Sequence, residues 1–189
     1  MSKKFDVEIS RQWRVISEIH NITKELYIKS EEYNDELCSF VQPIKEMKDA
    51  YEHVVRAQSN LYSNEKSEEY ISKNLSKALG HEYRAFFDTA DFMGIILRNK
   101  IYDRLSRFEY NQIISAYPEY ENVRVRIMDI TDEIAELRIK KDVGSGNVMR
   151  ELIVKYRDVI YELLSYYRTI ETEIYPKLEN QFGTSVEQN

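Results

Sequence analysis

Apolar residues recur at helical spacing along the whole chain, and in places the spacing is close to a strict heptad. The first such seam begins at Tyr33 and alternates steps of four and three residues, a pattern typical of a coiled coil. Its members are Tyr33, Leu37, Phe40, Ile44, Met47, Tyr51, Val54 and Leu61. The seam passes Pro43 without losing register. Pro43 therefore marks either a kink in one long helix or the first turn of a new helix.

Helices are also predicted before and after this seam in the sequence. A first helix covers about residues 5–30, a polar turn follows at 62–67, and a long helix runs from about 67 to 111. The segment Phe92–Leu97 of this long helix is apolar on every side, which predicts that other helices surround it. Gly94 within the segment indicates either a bend or a close approach of a neighbouring helix.

A helical hairpin is predicted after Pro118. Its two helices are joined by the turn Asp142–Gly146, where glycine suits a helix C-terminus. Pro176 ends or kinks the second of these helices. The seam positions are Val123, Ile127, Ile130, Ile134 and Leu137, then Met149, Leu152, Tyr156, Val159, Leu163, Tyr166 and Ile170. No strand-like alternation is present. The predicted fold is all-α, an elongated antiparallel bundle of four to five long helices with coiled-coil-like heptad seams.

The composition favours one folded domain over residues 1–182, followed by a flexible polar tail at 183–189. This domain would combine a helical core at about 5–116 with the hairpin at about 119–176. The chain has 189 residues, enough for a substantial core, and only five glycines and three prolines, which favours long elements. A single cysteine, Cys38, excludes an intramolecular disulfide. The absence of a signal-like or membrane-spanning apolar stretch adds to the expectation of a cytoplasmic protein.

The charge pattern excludes some classes of partner and favours others. The net charge is −6, and basic and acidic residues alternate along the chain without a basic stripe, so duplex nucleic acid is not an expected partner. The fifteen tyrosines favour broad helix–helix contacts with wet margins, since tyrosine packs like phenylalanine and keeps a hydroxyl. We expect no membrane association, and a protein partner or self-association through the heptad-patterned faces.

Two similar polar clusters stand out from this background. The first, Asp49-x3-His53-x2-Arg56, falls on the helix face opposite the seam and is predicted to be solvated. The second continues along its helix into the apolar segment and is predicted to be partly covered, so its charges must be paired. Its members are His81, Arg84, Asp88 and Asp91.

Three interpretations of these clusters remain open. Arg84 and Asp88 can pair along one helix at a spacing of four residues. With a turn centred near Asn64, Asp49 lies level with residue 79 and could reach His81 or Arg84 on the antiparallel neighbour. The clusters then form one structural network, or two unrelated surfaces, or a functional pocket.

The sequence offers no metal site and identifies no catalytic residue. Di-iron bundles need paired Glu-x-x-His motifs, which are absent, and three histidines with one cysteine provide no zinc spacing. There is no Gly-x-Ser-x-Gly nucleophile motif. We therefore expect no cofactor.

One short motif resembles a known family. Arg14-x5-His20 is similar to the Arg-x4–6-His motif of HEPN ribonucleases, helical proteins whose arginine and histidine act on an RNA phosphodiester at a dimer interface. The resemblance covers seven residues. It departs from the family pattern because Val15 replaces a polar residue and the motif lies in the first predicted helix.

Two functional hypotheses follow. The first is a non-enzymatic interaction or regulatory protein that presents heptad-patterned faces. The alternative is a helical protein that handles a small ligand, a nucleotide or RNA, such as a HEPN-like ribonuclease. Its polar centre would be His81, Arg84 and Asp88, with Arg84 binding an anion and His81 moving a proton, or else Arg14 and His20.

Overall fold

Helices make up nearly all of the chain that the computed structural model describes, residues 3–35, 40–141 and 147–183. Within these ranges there is no strand, so the all-α prediction is confirmed. The helices are α1 Lys3–Glu32, α2 Val41–Leu61, α3 Glu68–Leu105, α4 Tyr110–Ala116, α5 Tyr120–Lys141, α6 Asn147–Thr169 and α7 Tyr175–Phe182, with a π-helical turn, Ile170–Ile174, between α6 and α7.

Pro43 starts a helix and does not kink one. The helix α1 ends at Glu32, and α2 begins at Val41, which places Pro43 in the first turn of α2, where its missing N–H removes no intrahelical hydrogen bond. Pro176 is likewise at the start of α7, directly after the π-helical turn. The predicted turn Asp142–Gly146, Cys38 and the tail from residue 184 lie outside the described residues.

The chain divides into two compact units, Met1–Met93 and Gly94–Asn189, with the boundary inside α3. The single domain over residues 1–182 stays a prediction. None of the helices in the described ranges is both long enough and apolar enough to cross a membrane.

The first unit is built around a core shared by α1, α2 and α3. Its buried members are Ile9, Ile16, Ala57, Ile71, Leu75 and Ala78, and Phe5, Trp13, Val54, Leu61 and Leu79 pack half-buried against them. The contributions of α2 and α3 to the buried set include small residues. Small side chains let helix backbones approach closely, and this close approach decides how α2 is rotated about its axis.

The rotation of α2 differs from the one that the heptad seam predicts. Its buried residues are Pro43, Glu46, Ala50 and Ala57. Ile44 and Tyr51 of the predicted seam are exposed, while Met47 and Val54 are half-buried. The seam therefore lies at the edge of the buried face, because α2 packs through its alanines and not through its largest apolar side chains.

The prediction for the segment Phe92–Leu97 was partly wrong. Met93, Gly94, Ile96 and Leu97 are buried, but Ile95 is 46% exposed, so the segment is not enclosed on every side. In the second unit Gly94 marks a close approach, one of the two alternatives that the sequence left open. A Cβ atom at this position would lie 3.2 Å from Ile160 Cδ1, tighter than an ordinary van der Waals contact.

The second unit buries most of the hairpin positions that the sequence predicts. The buried ones are Val123, Ile130, Ile134, Leu137, Met149, Tyr156, Val159, Leu163 and Ile170. A polar pair joins the same two helices at their margin, where Arg126 Nε and Nη2 donate to Glu162 Oε1 and Oε2 at 2.7 and 2.6 Å. This bidentate geometry fixes both side chains.

Candidate functional site

A buried carboxylate organises the contact between α2 and α3 in the first unit. Glu46 on α2 is only 8% exposed, and its Oε2 atom accepts a hydrogen bond from Arg84 Nε on α3 at 2.8 Å. Its Oε1 atom accepts a hydrogen bond from Gln42 one turn earlier, at 3.2 Å. His81 Nδ1 lies 2.8 Å from the same Oε2 atom. Both carboxylate oxygens are therefore engaged inside the protein.

The proton on His81 decides which neighbour it bonds. His81 Nδ1 is 2.8 Å from Glu46 Oε2 and 2.7 Å from Arg84 Nη2, an acceptor on one side and a donor on the other. With a proton on Nδ1 the ring donates to Glu46, and without one it accepts from Arg84. The tautomer of the His81 ring therefore selects either Glu46 or Arg84 as its hydrogen-bond partner.

The electrostatics of this cluster favour an ionised Glu46. Burial would raise the pKa of the carboxyl group, but hydrogen bonds from Arg84 and His81 and the charge of Arg84 outweigh burial, so the pKa of Glu46 is lowered. A buried carboxylate is stable only when it is paired in this way. The cluster is an ion pair between Glu46 and Arg84, with His81 in hydrogen-bond contact with both.

A second polar contact joins the same two helices two turns away. His53 Nδ1 on α2 is 2.9 Å from Asn74 Oδ1 on α3, and Asn74 also donates through Nδ2 to the carbonyl oxygen of Tyr70 at 2.9 Å. Asn74 Oδ1 is an acceptor, so this contact is a hydrogen bond in the His53 tautomer that has its proton on Nδ1. The rings of His53 and His81 stack with centroids 5.4 Å apart, which connects the two contacts.

The third histidine contacts a different face of α3. His20 Nδ1 on α1 is 3.0 Å from Glu82 Oε1, while Glu82 Oε2 is buried and finds no hydrogen-bond partner among the described residues. The hydrogen bond from His20 to Glu82 raises the pKa of His20, more than burial lowers it. All three histidines of the chain therefore lie at helix contacts of the first unit.

The antiparallel register of α2 and α3 explains which residues meet. The Glu46–His81 and His53–Asn74 pairs are both symmetric about the turn near Ser63 and Asn64. This agrees within one residue with the level that the sequence predicts for Asp49 and Leu79. The carboxylate that reaches His81 and Arg84 is nevertheless Glu46, one helical turn before Asp49.

The sequence argument missed Glu46, although a signal was present. On α2 the stripe Glu46, Ala50, His53 and Ala57 has helical spacing, and a matching stripe on α3 contains Asn74, Ala78, His81 and Ala85. Small residues at this spacing mark a close helix contact, and the polar residues that alternate with them lie in it. A search for large apolar side chains does not detect such a contact.

The structure separates the other candidate residues from this cluster. Asp49 is half-buried and lies 4.0 Å from Lys48 Nζ, and Arg56 is exposed, 3.5 Å from Glu52. Asp88 and Asp91 are half-buried on α3, and Arg84 contacts Glu46 and His81.

His53 is half-buried against α3, so the solvated face predicted for the first cluster does not include it. The other histidine candidate, His20, has its ring on Glu82, and Arg14 is exposed on α1. Across residues 3–35, 40–141 and 147–183, no group of three or more His, Cys, Asp and Glu side chains could hold a metal ion.

The opposite face of α2 carries a stripe of mainly apolar side chains, which we call the α2 stripe. It consists of Val41, Ile44, Lys48, Tyr51, Val55, Gln58 and Tyr62, at alternating steps of three and four residues, and all of them are exposed except the half-buried Gln58. Its five large hydrophobic residues are between 41% and 76% exposed. A shallow cleft of about 550 Å³ opens beside it, lined by Trp13 and Ser59 together with four residues of the stripe and Val54.

Charged side chains border this stripe on one flank. Glu52 accepts a hydrogen bond from Lys48 Nζ at 2.7 Å, and Arg56 Nη2 lies 3.5 Å from the same carboxylate. Lys45 follows the stripe on the same side as Glu52, one heptad earlier. The stripe thus combines an apolar centre with a flank that carries both signs of charge.

Comparisons with known proteins give no relative: no protein-family model, no curated protein and no solved structure matches the chain.

Proposed function

We propose that this chain is a non-enzymatic interaction protein of the cytoplasm, an elongated antiparallel helical bundle that presents the α2 stripe to another helix. The observation that carries the proposal is the exposure of Val41, Ile44, Tyr51, Val55 and Tyr62 on one face at heptad spacing. Single exposed apolar residues are common on protein surfaces, but a continuous stripe of them marks an interaction site. Heptad spacing is the pattern that a partner helix packs against.

The polar cluster supports a structural role more than a catalytic one. Arg84 is engaged with Glu46 and His81, so an anionic ligand would have to replace a carboxylate that is already bound at 2.8 Å. His81 likewise has both of its close neighbours inside the protein. The alternative of a ligand- or RNA-handling protein therefore has less support than a helical interaction module.

Photo-crosslinking in the cell of origin tests the proposal. A benzophenone amino acid would replace Tyr51 or Val55, and a matched control would carry it at Lys77, which is exposed on α3. We expect adducts with protein from positions 51 and 55, and none from position 77. Equal adducts from all three positions, or none from the stripe, would contradict the proposed function.

A further inference from the structure

We infer that the partner of the α2 stripe is the α2 helix of a second copy of this chain, packed antiparallel about a twofold axis between Asp49 and Ala50. This inference rests on the proposed function and names its partner. A twofold interface is self-complementary, since each residue of one copy must fit a residue of the same surface on the other. The α2 stripe meets this requirement in its apolar residues and in its charges.

The shape of the interface comes from the two interleaved sets of the stripe. Val41, Lys48, Val55 and Tyr62 form one set at steps of seven, and Ile44, Tyr51 and Gln58 form the other. In an antiparallel pair each set faces the other set of the second helix. The resulting layers are Val55 on Ile44, Lys48 on Tyr51 and Val41 on Gln58, each occurring twice about the axis.

The central layer also accommodates the one charged member of the stripe. Lys48 of one copy faces Tyr51 of the other, so its aliphatic stem packs on the ring while its ammonium group keeps its hydrogen bond to Glu52 of the same helix. A parallel pair would instead place Lys48 against Lys48, two like charges in the centre of the interface. The charge of Lys48 therefore favours the antiparallel arrangement.

The flanking charges are complementary in the same register. In an antiparallel pair the residues on one flank meet their own set on the second helix, and here that set contains Lys45 and Glu52. In this register Lys45 of one copy is level with residue 54 of the other, two residues along the helix from Glu52. The long side chains of Lys45 and Glu52 span this offset. The twofold axis makes two such pairs, and neither copy brings two equal charges together on this flank.

Disulfide trapping of the purified full chain tests the register directly. Both chains carry Cys38→Ser, and one carries Ile44→Cys while the other carries Val55→Cys. Under mild oxidation we expect the mixture to form a linked dimer and each variant alone to stay unlinked, because positions 44 and 55 meet only across the antiparallel pair. Linkage of the Ile44→Cys chain to itself would overturn the register and indicate a parallel pair.

Charge reversal provides a second test that needs no new cysteine. Lys45→Glu is expected to weaken self-association about tenfold, because a twofold axis breaks two ion pairs at once. The double variant Lys45→Glu/Glu52→Lys is expected to recover it, and Lys66→Glu, exposed outside the stripe, is the matched control.

A strictly monomeric chain by light scattering, with stripe crosslinks to a different protein, would overturn the second copy but leave the proposed function intact. The absence of any stripe crosslink would overturn the proposed function itself.

Discussion

Glu46 on α2 and Arg84 on α3 are joined by a hydrogen bond of 2.8 Å between Oε2 and Nε, and the carboxylate is buried while the arginine is half outside. The pair connects two helices that the sequence already places side by side. Its asymmetry has a consequence for stability. Removal of the acid leaves Arg84 and His81 without their shared acceptor. Removal of the arginine leaves a buried carboxylate with His81 and Gln42 as its remaining neighbours.

Glu46→Ala is expected to destabilise the first unit by about 2 kcal/mol, within the range for hydrogen bonds to charged groups. The measurement is urea unfolding followed by the fluorescence of Trp13, which is the only tryptophan of the chain and packs against the core of this unit. Glu69→Ala is the matched control, since it removes an exposed acid from α3 of the same unit, outside the α2 stripe. Equal losses from both variants would show that Glu46 has no special role.

His20 makes the stability of the first unit depend on pH. Its folded-state pKa is raised above the ordinary value of 6.5, mainly by the hydrogen bond to Glu82. A group with a raised folded pKa contributes stability that is fully present below its unfolded pKa and is lost as the pH rises through the folded value. Wild type should therefore exceed His20→Gln in stability most at pH below about 6.5, and the difference should shrink on the alkaline side.

Unfolding of both proteins from pH 5 to 9, with Trp13 fluorescence as the probe, measures this difference. An NMR titration of the His20 ring on the same samples reports its pKa independently of stability. A difference that grows as the pH rises would be incompatible with the contact to Glu82.

The helical character of the chain could be predicted from the sequence because it depends on the spacing of large apolar residues. Ile130, Ile134 and Leu137 on α5 and Tyr156 and Leu163 on α6 repeat at helical spacing and are all buried. For α2 and α3, the short turn at residues 62–67 fixes the register of the pair, since it leaves little freedom for these two helices to slide past each other.

The rotation of α2 could not be predicted in the same way. Hydrophobic periodicity selects Ile44 and Tyr51 as the inner face, but α2 packs through Ala50 and Ala57. Alanine contributes little to a hydrophobic periodicity. Its small side chain nevertheless allows α2 and α3 to approach closely, so that Glu46 contacts Arg84. The same rotation leaves the α2 stripe outside, so the misplaced seam and the proposed interaction surface have one cause.

A pair of substitutions on opposite faces tests the rotation of α2. Ala57→Glu introduces a charge at a position that is 1% exposed in the core, and we expect a loss of at least about 3 kcal/mol or failure to fold. Val55→Glu, two residues earlier, lies on the α2 stripe and should leave the unfolding free energy of the dilute chain nearly unchanged. Circular dichroism and Trp13 fluorescence measure both variants. A larger loss from Val55→Glu than from Ala57→Glu would contradict the packing of α2 through its alanines.

The loss of unfolding free energy of the second unit at acidic pH is expected to depend on Glu162. Hydrogen bonds from Arg126 lower the folded-state pKa of Glu162 below its ordinary 4.5, against the opposing effect of burial. A lowered folded pKa contributes stability that is present above the unfolded pKa and lost as the pH falls through the folded value. Glu162→Gln should therefore be less stable than wild type near neutral pH, with a difference that closes on acidification below about 4.5.

Thermal unfolding by circular dichroism between pH 7 and 3 measures this convergence, and Glu151→Gln, exposed on the same helix, controls for the change of net charge. Arg126 keeps Glu133 at 3.2 Å in the Glu162→Gln variant, so the arginine is not left unpaired and the helix pair should still form. The pH dependence then reports the carboxylate of Glu162 and not a collapse of the hairpin. A constant difference across the whole pH range would mean that the bidentate pair does not stabilise the fold through its charge.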